Sequence, residues 1–179
     1  LARRSAAGNV SATLITRGHR MIVMNFLVGL PVMLLCLALQ VAVSFWSVRY
    51  YVHQPAAPTG RHGFLRDIRP LLVAMLFMMT GTLVQIAVWG TLFVALGEFT
   101  EFYEAIYHSA VNFASLGYGD IVMTKPWKLL GPLEAVNGVL MLGMSAAALM
   151  VILQHMIKAQ RDRLVQRDQG TGNRNDSGT

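Results

Sequence analysis

Charged residues vanish from three long stretches, Met21 to Val48, Leu71 to Gly97 and Ala135 to Gln154, and apolar residues fill most of each. Each stretch matches or exceeds the ~20 residues an α-helix needs to cross a bilayer. The pattern predicts a first transmembrane helix over 21–49, an outer helix over 70–97 and an inner helix over 130–158. Gly29-Leu30-Pro31 interrupts the first with a proline, whose missing N–H favours a kink. Gln40, Ser44 and Ser47 fall on one side of that helix and suggest a packed face. Pro55, Pro58 and Gly60 make the centre of the 50–69 linker a loop, and the second helix can begin at or just after Pro70.

The segment from Gly97 to Leu130 is neither a full span nor a soluble domain. Thr100 suits an N-cap, and Glu101 and Glu104 complement the helix dipole in a first turn. Ala105 to Phe113 are largely apolar, so a short helix is expected over 100–113. A glycine-rich strand follows at once. A helix that enters the membrane and returns as irregular chain is tolerated only where protein or water covers its backbone.

Composition agrees. Only 13% of the 179 residues are charged, against roughly 25% in soluble domains. The net charge of +6 is gathered at the span ends: Arg17 and Arg20 before the first, Arg66 and Arg69 before the second, Lys158, Arg161 and Arg163 after the third. Such flanks meet anionic lipid headgroups, and no basic groove for nucleic acid is present. Residues 1–20 read as a polar, basic N-terminal segment, mobile or interfacial. Residues 159–179 read as a polar flexible tail, disordered from Gly170 onward. Cys36 is the only cysteine and reads as a buried, inert thiol. The five histidines are scattered and no HExxH occurs, so the chain does not read as an enzyme and calls for no cofactor.

The chemistry lies in Ala114-Ser115-Leu116-Gly117-Tyr118-Gly119-Asp120. Glycines at alternate positions let a strand turn its carbonyls one way, and rings of carbonyls can replace the water around a cation. One strand cannot enclose an ion, so the smallest such pore is a fourfold ring of this chain with three further identical subunits.

On these residues the chain resembles the pore domain of the potassium-channel superfamily, in particular the small bacterial channels with two helices per subunit. The likeness covers about Leu71 to Lys158, and the pore domain it implies spans 70–158. It implies an all-α membrane protein with outer helix, pore helix, filter over 115–119 and inner helix, plus one additional N-terminal helix, assembled as a homotetramer. It implies potassium as permeant ion at Ser115, Leu116, Gly117 and Tyr118, with Gly119 completing the filter. Ser115 stands where that family usually has threonine, and Leu116 where it has valine. Asp120 matches the acid that anchors the filter from behind. Tyr107 and His108 occupy the usual bracing aromatic pair, and Asn112 faces the filter, where its amide can donate to backbone carbonyls. Glu134 lies four residues before Gly138, a spacing found in many of those channels, and Glu134 is expected to hydrogen-bond behind the filter. Gly138 and Gly143 are candidate hinges, with close helix packing as the alternative for each. Helical spacing puts Val139, Leu142 and Ala146 on the cavity face, with Met150 as a candidate hydrophobic gate.

With the Tyr-Gly end of the filter outward, the 50–69 linker is cytoplasmic. The flanks of the first span tie at four arginines each, so charge does not orient it. Three spans with an outer N terminus and a bent, interfacial first helix are both open. The expected function is a passive potassium-selective channel in a bacterial inner membrane. A weakly selective cation channel and a subunit of a potassium uptake system are the alternatives.

Overall fold

The computed structural model describes residues 2–53 and 64–176, and every regular element in them is helical. They are α1 (Ala2–Val52), α2 (Phe64–Ala95), α3 (Phe102–Phe113) and α4 (Leu130–Asp176). Segments of three are long and apolar enough to cross a membrane: Thr16–Val52, Ile68–Ala95 and Leu130–Asp162. The chain is an all-α, multi-pass membrane protein.

Helix boundaries differ from the sequence reading at several points. Residues 2–20 join α1 instead of forming a separate polar segment, and their alanines favour this. Pro31 lies inside that unbroken helix. Helix α2 begins at Phe64, so Pro70 is internal; one missing N–H removes one hydrogen bond, which the flanking turns tolerate. Helix α4 continues through the expected flexible tail, Gly170 included, as far as Asp176. The loop expected at Pro55, Pro58 and Gly60 lies outside the described residues.

The packing inverts that of a soluble protein. Leu27, Leu34, Phe45 and Trp46 are exposed, whereas Asn25, Gln40, Gln85, Glu134 and Asn137 are buried. Lipid solvates apolar side chains, so polar groups gain by finding one another between helices. Gln85 Nε2 on α2 donates to Gln40 Oε1 on α1 (2.8 Å), and Gln40 Nε2 donates to Ser145 Oγ on α4 (2.7 Å). This chain of amides fills part of the packed face expected at Gln40. Ser47 instead returns its hydroxyl to the Val43 carbonyl of its own helix.

These contacts set directions. α1 runs antiparallel to α2, with Gln40 against Gln85 and the Tyr50 ring centroid 6.4 Å from that of Phe77. It runs parallel to α4: Asn25 Nδ2 donates to the Pro126 carbonyl just before α4 (2.6 Å), and Gln40 meets Ser145 further along. Trp89, Phe93, Phe99, Leu130 and Met141 form the core beside the short helix α3.

Candidate functional site

Helix α3 lies against α2 and α4, and two glycines permit that approach. A Cβ on Gly90 would lie 2.7 Å from Ile106 Cδ1. A Cβ on Gly138 would collide with the main-chain carbonyl of Phe113, in the last turn of α3. At the other end, the N-cap is Glu101, not Thr100, and it makes no side-chain capping bond. Glu104 sits in the first turn as expected.

The glycine-rich strand leaves α3 through two tight bonds. Ser115 N donates to the Asn112 carbonyl (2.8 Å) and Leu116 N to the Val111 carbonyl (2.9 Å). Then backbone handedness alternates. Ser115, Gly117 and Gly119 have φ of 56°, 57° and 74°, whereas Leu116 and Tyr118 do not enter the left-handed region. An extended strand points successive carbonyls to opposite sides, but alternation between left- and right-handed residues gathers like groups on one side. Ala114 to Asp120 are all exposed, Leu116 at 56% and Tyr118 at 65%.

Residues 81–155, from the outer helix through this strand to the inner helix, match the family model described as ion channel. This segment is a pore domain of the potassium-channel superfamily. No curated protein and no solved structure matches the chain significantly.

Around the strand, the pore domain brings together most of the residues singled out in the sequence. Tyr107 Oη donates to Asp120 Oδ2 (2.7 Å). That bond holds the Asp120 carboxyl below its usual range and raises the Tyr107 phenol above its own. His108 is buried, 5.6 Å from the Phe93 ring centroid and 5.2 Å from that of Phe99. Burial pushes the His108 imidazole below the ordinary histidine value. Asn112 Nδ2 lies 2.9 Å from His108 Nε2 and donates to it, not to a filter carbonyl as expected. The loop after the strand is pinned as well: Glu98 accepts from both Thr124 N (2.7 Å) and Thr124 Oγ1 (2.5 Å).

On the inner helix, Glu134 is fully buried and Ser109 Oγ lies 2.5 Å from its Oε1. Glu134 therefore reaches the pore helix, one step removed from the filter itself. The two candidate hinge glycines are in different settings. Gly138 is wedged against Phe113, whereas nothing lies within 4 Å of where a Gly143 Cβ would be. Val139, Leu142, Ala146 and Met150 are exposed on a single chain.

Sequence reasoning passed over Ser109, Gln85, Ser145 and Asn25. Their signal was available, because a polar side chain inside an apolar span is costly unless it has a partner. What the sequence lacks is the identity of each partner. Asn25 and Pro126 are 101 residues apart.

Proposed function

We propose that this protein is a passive, potassium-selective channel in which four copies contribute one filter strand each. The alternating backbone handedness at Ser115, Gly117 and Gly119 carries the reading. It supports carbonyls presented together along an exposed strand, the arrangement that replaces the hydration shell of a dehydrated cation. Ser115, Leu116, Gly117 and Tyr118 supply the ion sites, and the Ser115 hydroxyl lines the innermost one. Tyr107, Asp120, His108, Asn112 and Glu134 hold the filter from behind. The pore helix directs its C-terminal, partially negative end towards the cavity, which favours a cation there. No cofactor and no catalytic step is involved.

The pore domain occupies 70–158, and the channel lies in a bacterial inner membrane. Because α1 starts at the end of the molecule where the post-filter loop lies, an outward-facing filter puts the N terminus outside and the α2–α4 ends linked to 50–69 and 159–176 inside. Lys158 and Arg161 then meet the anionic headgroups of the inner leaflet. Gly143, free of packing, is the better hinge, and Met150 is the gate. Replacing Met150 with Asp raises basal flux in vesicles; unchanged flux removes it as the gate.

The test is reconstitution of purified protein in lipid vesicles under opposed potassium and sodium gradients. A reversal potential close to that of potassium, with block by barium, supports the reading. A reversal potential near zero favours a weakly selective cation channel, the reading to which Leu116 in place of a smaller residue lends weight. Absence of any flux overturns both.

A further inference from the structure

Ser109 stands between two acceptors. Its Oγ lies 2.9 Å from the main-chain oxygen of Ile86 on α2 and 2.5 Å from Glu134 Oε1 on α4. A hydroxyl has one hydrogen and cannot donate to both. If Glu134 were a carboxylate, the hydroxyl's one hydrogen would be divided between its charge and the Ile86 carbonyl, and Glu134 Oε2, buried without a partner, would carry charge unmet. A full charge would also sit on a side chain with 0% exposure. Among the described residues no counter-charge faces it: its surroundings are Cys36 on α1, the Ile86 carbonyl on α2, and Ser109 and Asn112 on α3. His108 stands one residue further off, behind Asn112. On α4 itself the neighbouring polar residue is Asn137, whose Nδ2 is buried without a partner. A lone buried charge at membrane depth is expensive.

A hydrogen on the carboxyl removes the conflict. The Glu134 O–H donates to Ser109 Oγ, the Ser109 O–H donates to the Ile86 carbonyl, and the partnerless Oε2 no longer carries charge. The 2.5 Å separation fits an O–H···O bond. We propose that Glu134 is an intramembrane proton-binding site whose resident proton, relayed through Ser109, ties the outer, pore and inner helices together. Its place gives it a consequence for conduction. Glu134 lies one helical turn before Gly138, where α4 touches the carbonyl of Phe113 at the root of the filter strand. When a rise in pH strips the proton, the bare carboxylate draws in water or moves off α3. The filter root loses its support and conduction falls.

Infrared difference spectra of the full-length protein in vesicles, wild type against Glu134→Gln, test the proton. A protonated-carboxyl band present in the wild type and missing from Glu134→Gln is expected, shifted in Ser109→Ala by loss of its hydrogen-bond partner. Identical spectra overturn the proposal. This arm needs no conduction, so its outcome is independent of the channel reading. Potassium flux against pH then tests the coupling, which does rest on that reading. Wild-type flux falls as the band disappears on alkalinisation. Glu134→Gln, whose amide can donate to Ser109 but cannot titrate, gives a flux that does not vary with pH across the same range, whatever its absolute level. A fall in Glu134→Gln equal to that of the wild type, or wild-type flux that stays level while the band is lost, overturns the coupling.

Discussion

Gly138 of the inner helix sits directly beneath the main-chain carbonyl of Phe113, leaving no room for a Cβ. The contact joins the helix that carries the cavity face to the residue from which the filter strand departs. Replacing Gly138 with Ala forces the two apart. Overpacking of this kind costs typically ~1–3 kcal/mol, so the thermal midpoint drops and flux is lost. Gly143→Ala has open space and gains up to ~1 kcal/mol of helix propensity. Its midpoint holds or rises, and any loss of flux in that variant reports a hinge and not a packing defect.

Ser115 adopts φ 56° without being glycine. Left-handed geometry costs an L-residue roughly 1–2 kcal/mol, and more when the side chain is β-branched. Ser115→Thr therefore lowers stability and Ser115→Gly raises it, as read from the thermal midpoint of the protein in detergent. The reverse order would mean that the hydroxyl, not the backbone, governs this position.

The Gln85–Gln40–Ser145 chain crosses three helices inside the apolar layer. Interhelical hydrogen bonds in membranes average about 0.6 kcal/mol, with ~1–2 in the strongest cases. Gln40→Leu strands partners on both sides, so it destabilises more than Gln40→Leu combined with Gln85→Leu and Ser145→Ala. A cycle of single and combined variants, followed by unfolding in detergent, measures the coupling; strict additivity would show that the three side chains do not act together.

His108 is neutral in this packing, because burial lowers its proton affinity and Asn112 donates to its Nε2. A base with a folded value depressed below its ordinary one stabilises the fold above that ordinary value, about 6.5, and the contribution is lost as pH falls towards the lower folded value. Thermal stability of the wild type therefore declines on acidification through this window, and His108→Gln flattens the decline. Asp120 behaves differently. Its folded value is lowered by Tyr107, so the Tyr107–Asp120 bond outlasts mild acid and weakens only as pH falls below the ordinary carboxylate range. Tyr107→Phe is expected to alter potassium-over-sodium preference with little change in the thermal midpoint.

Much of this site is legible in the sequence alone. Uncharged runs gave the three spans, and Gly117-Tyr118-Gly119 after a short apolar helix gave the strand, because both signals are local. The Tyr107–Asp120 bond was within reach, since a helix end and the strand that returns past it bring such residues close. The extents of α1 and α4 were not, because a polar composition does not by itself end a helix, and Pro70 suggested a boundary where the chain merely lost one hydrogen bond. Donor choice was equally hidden: the helix face that carries Asn112 suggests the filter, but its amide bonds His108, and spacing alone does not name the acceptor. Gly138 was read as hinge or packing contact alike, and only the position of the Phe113 carbonyl separates the two.

The parallel course of α1 and α4 has a mechanical meaning. Asn25 fastens α1 to the loop after the filter strand, at the pore's mouth, and Gln40 fastens it to the inner helix about 15 residues further along, roughly 22 Å by helical rise. A strut fixed at two such points resists tilt of α4 relative to the mouth. Rotation of the inner helix must carry α1 with it or break the Gln40 joint. The added helix thereby enlarges the body that has to move when the pore opens, from one helix to a braced pair whose outer surface is in lipid.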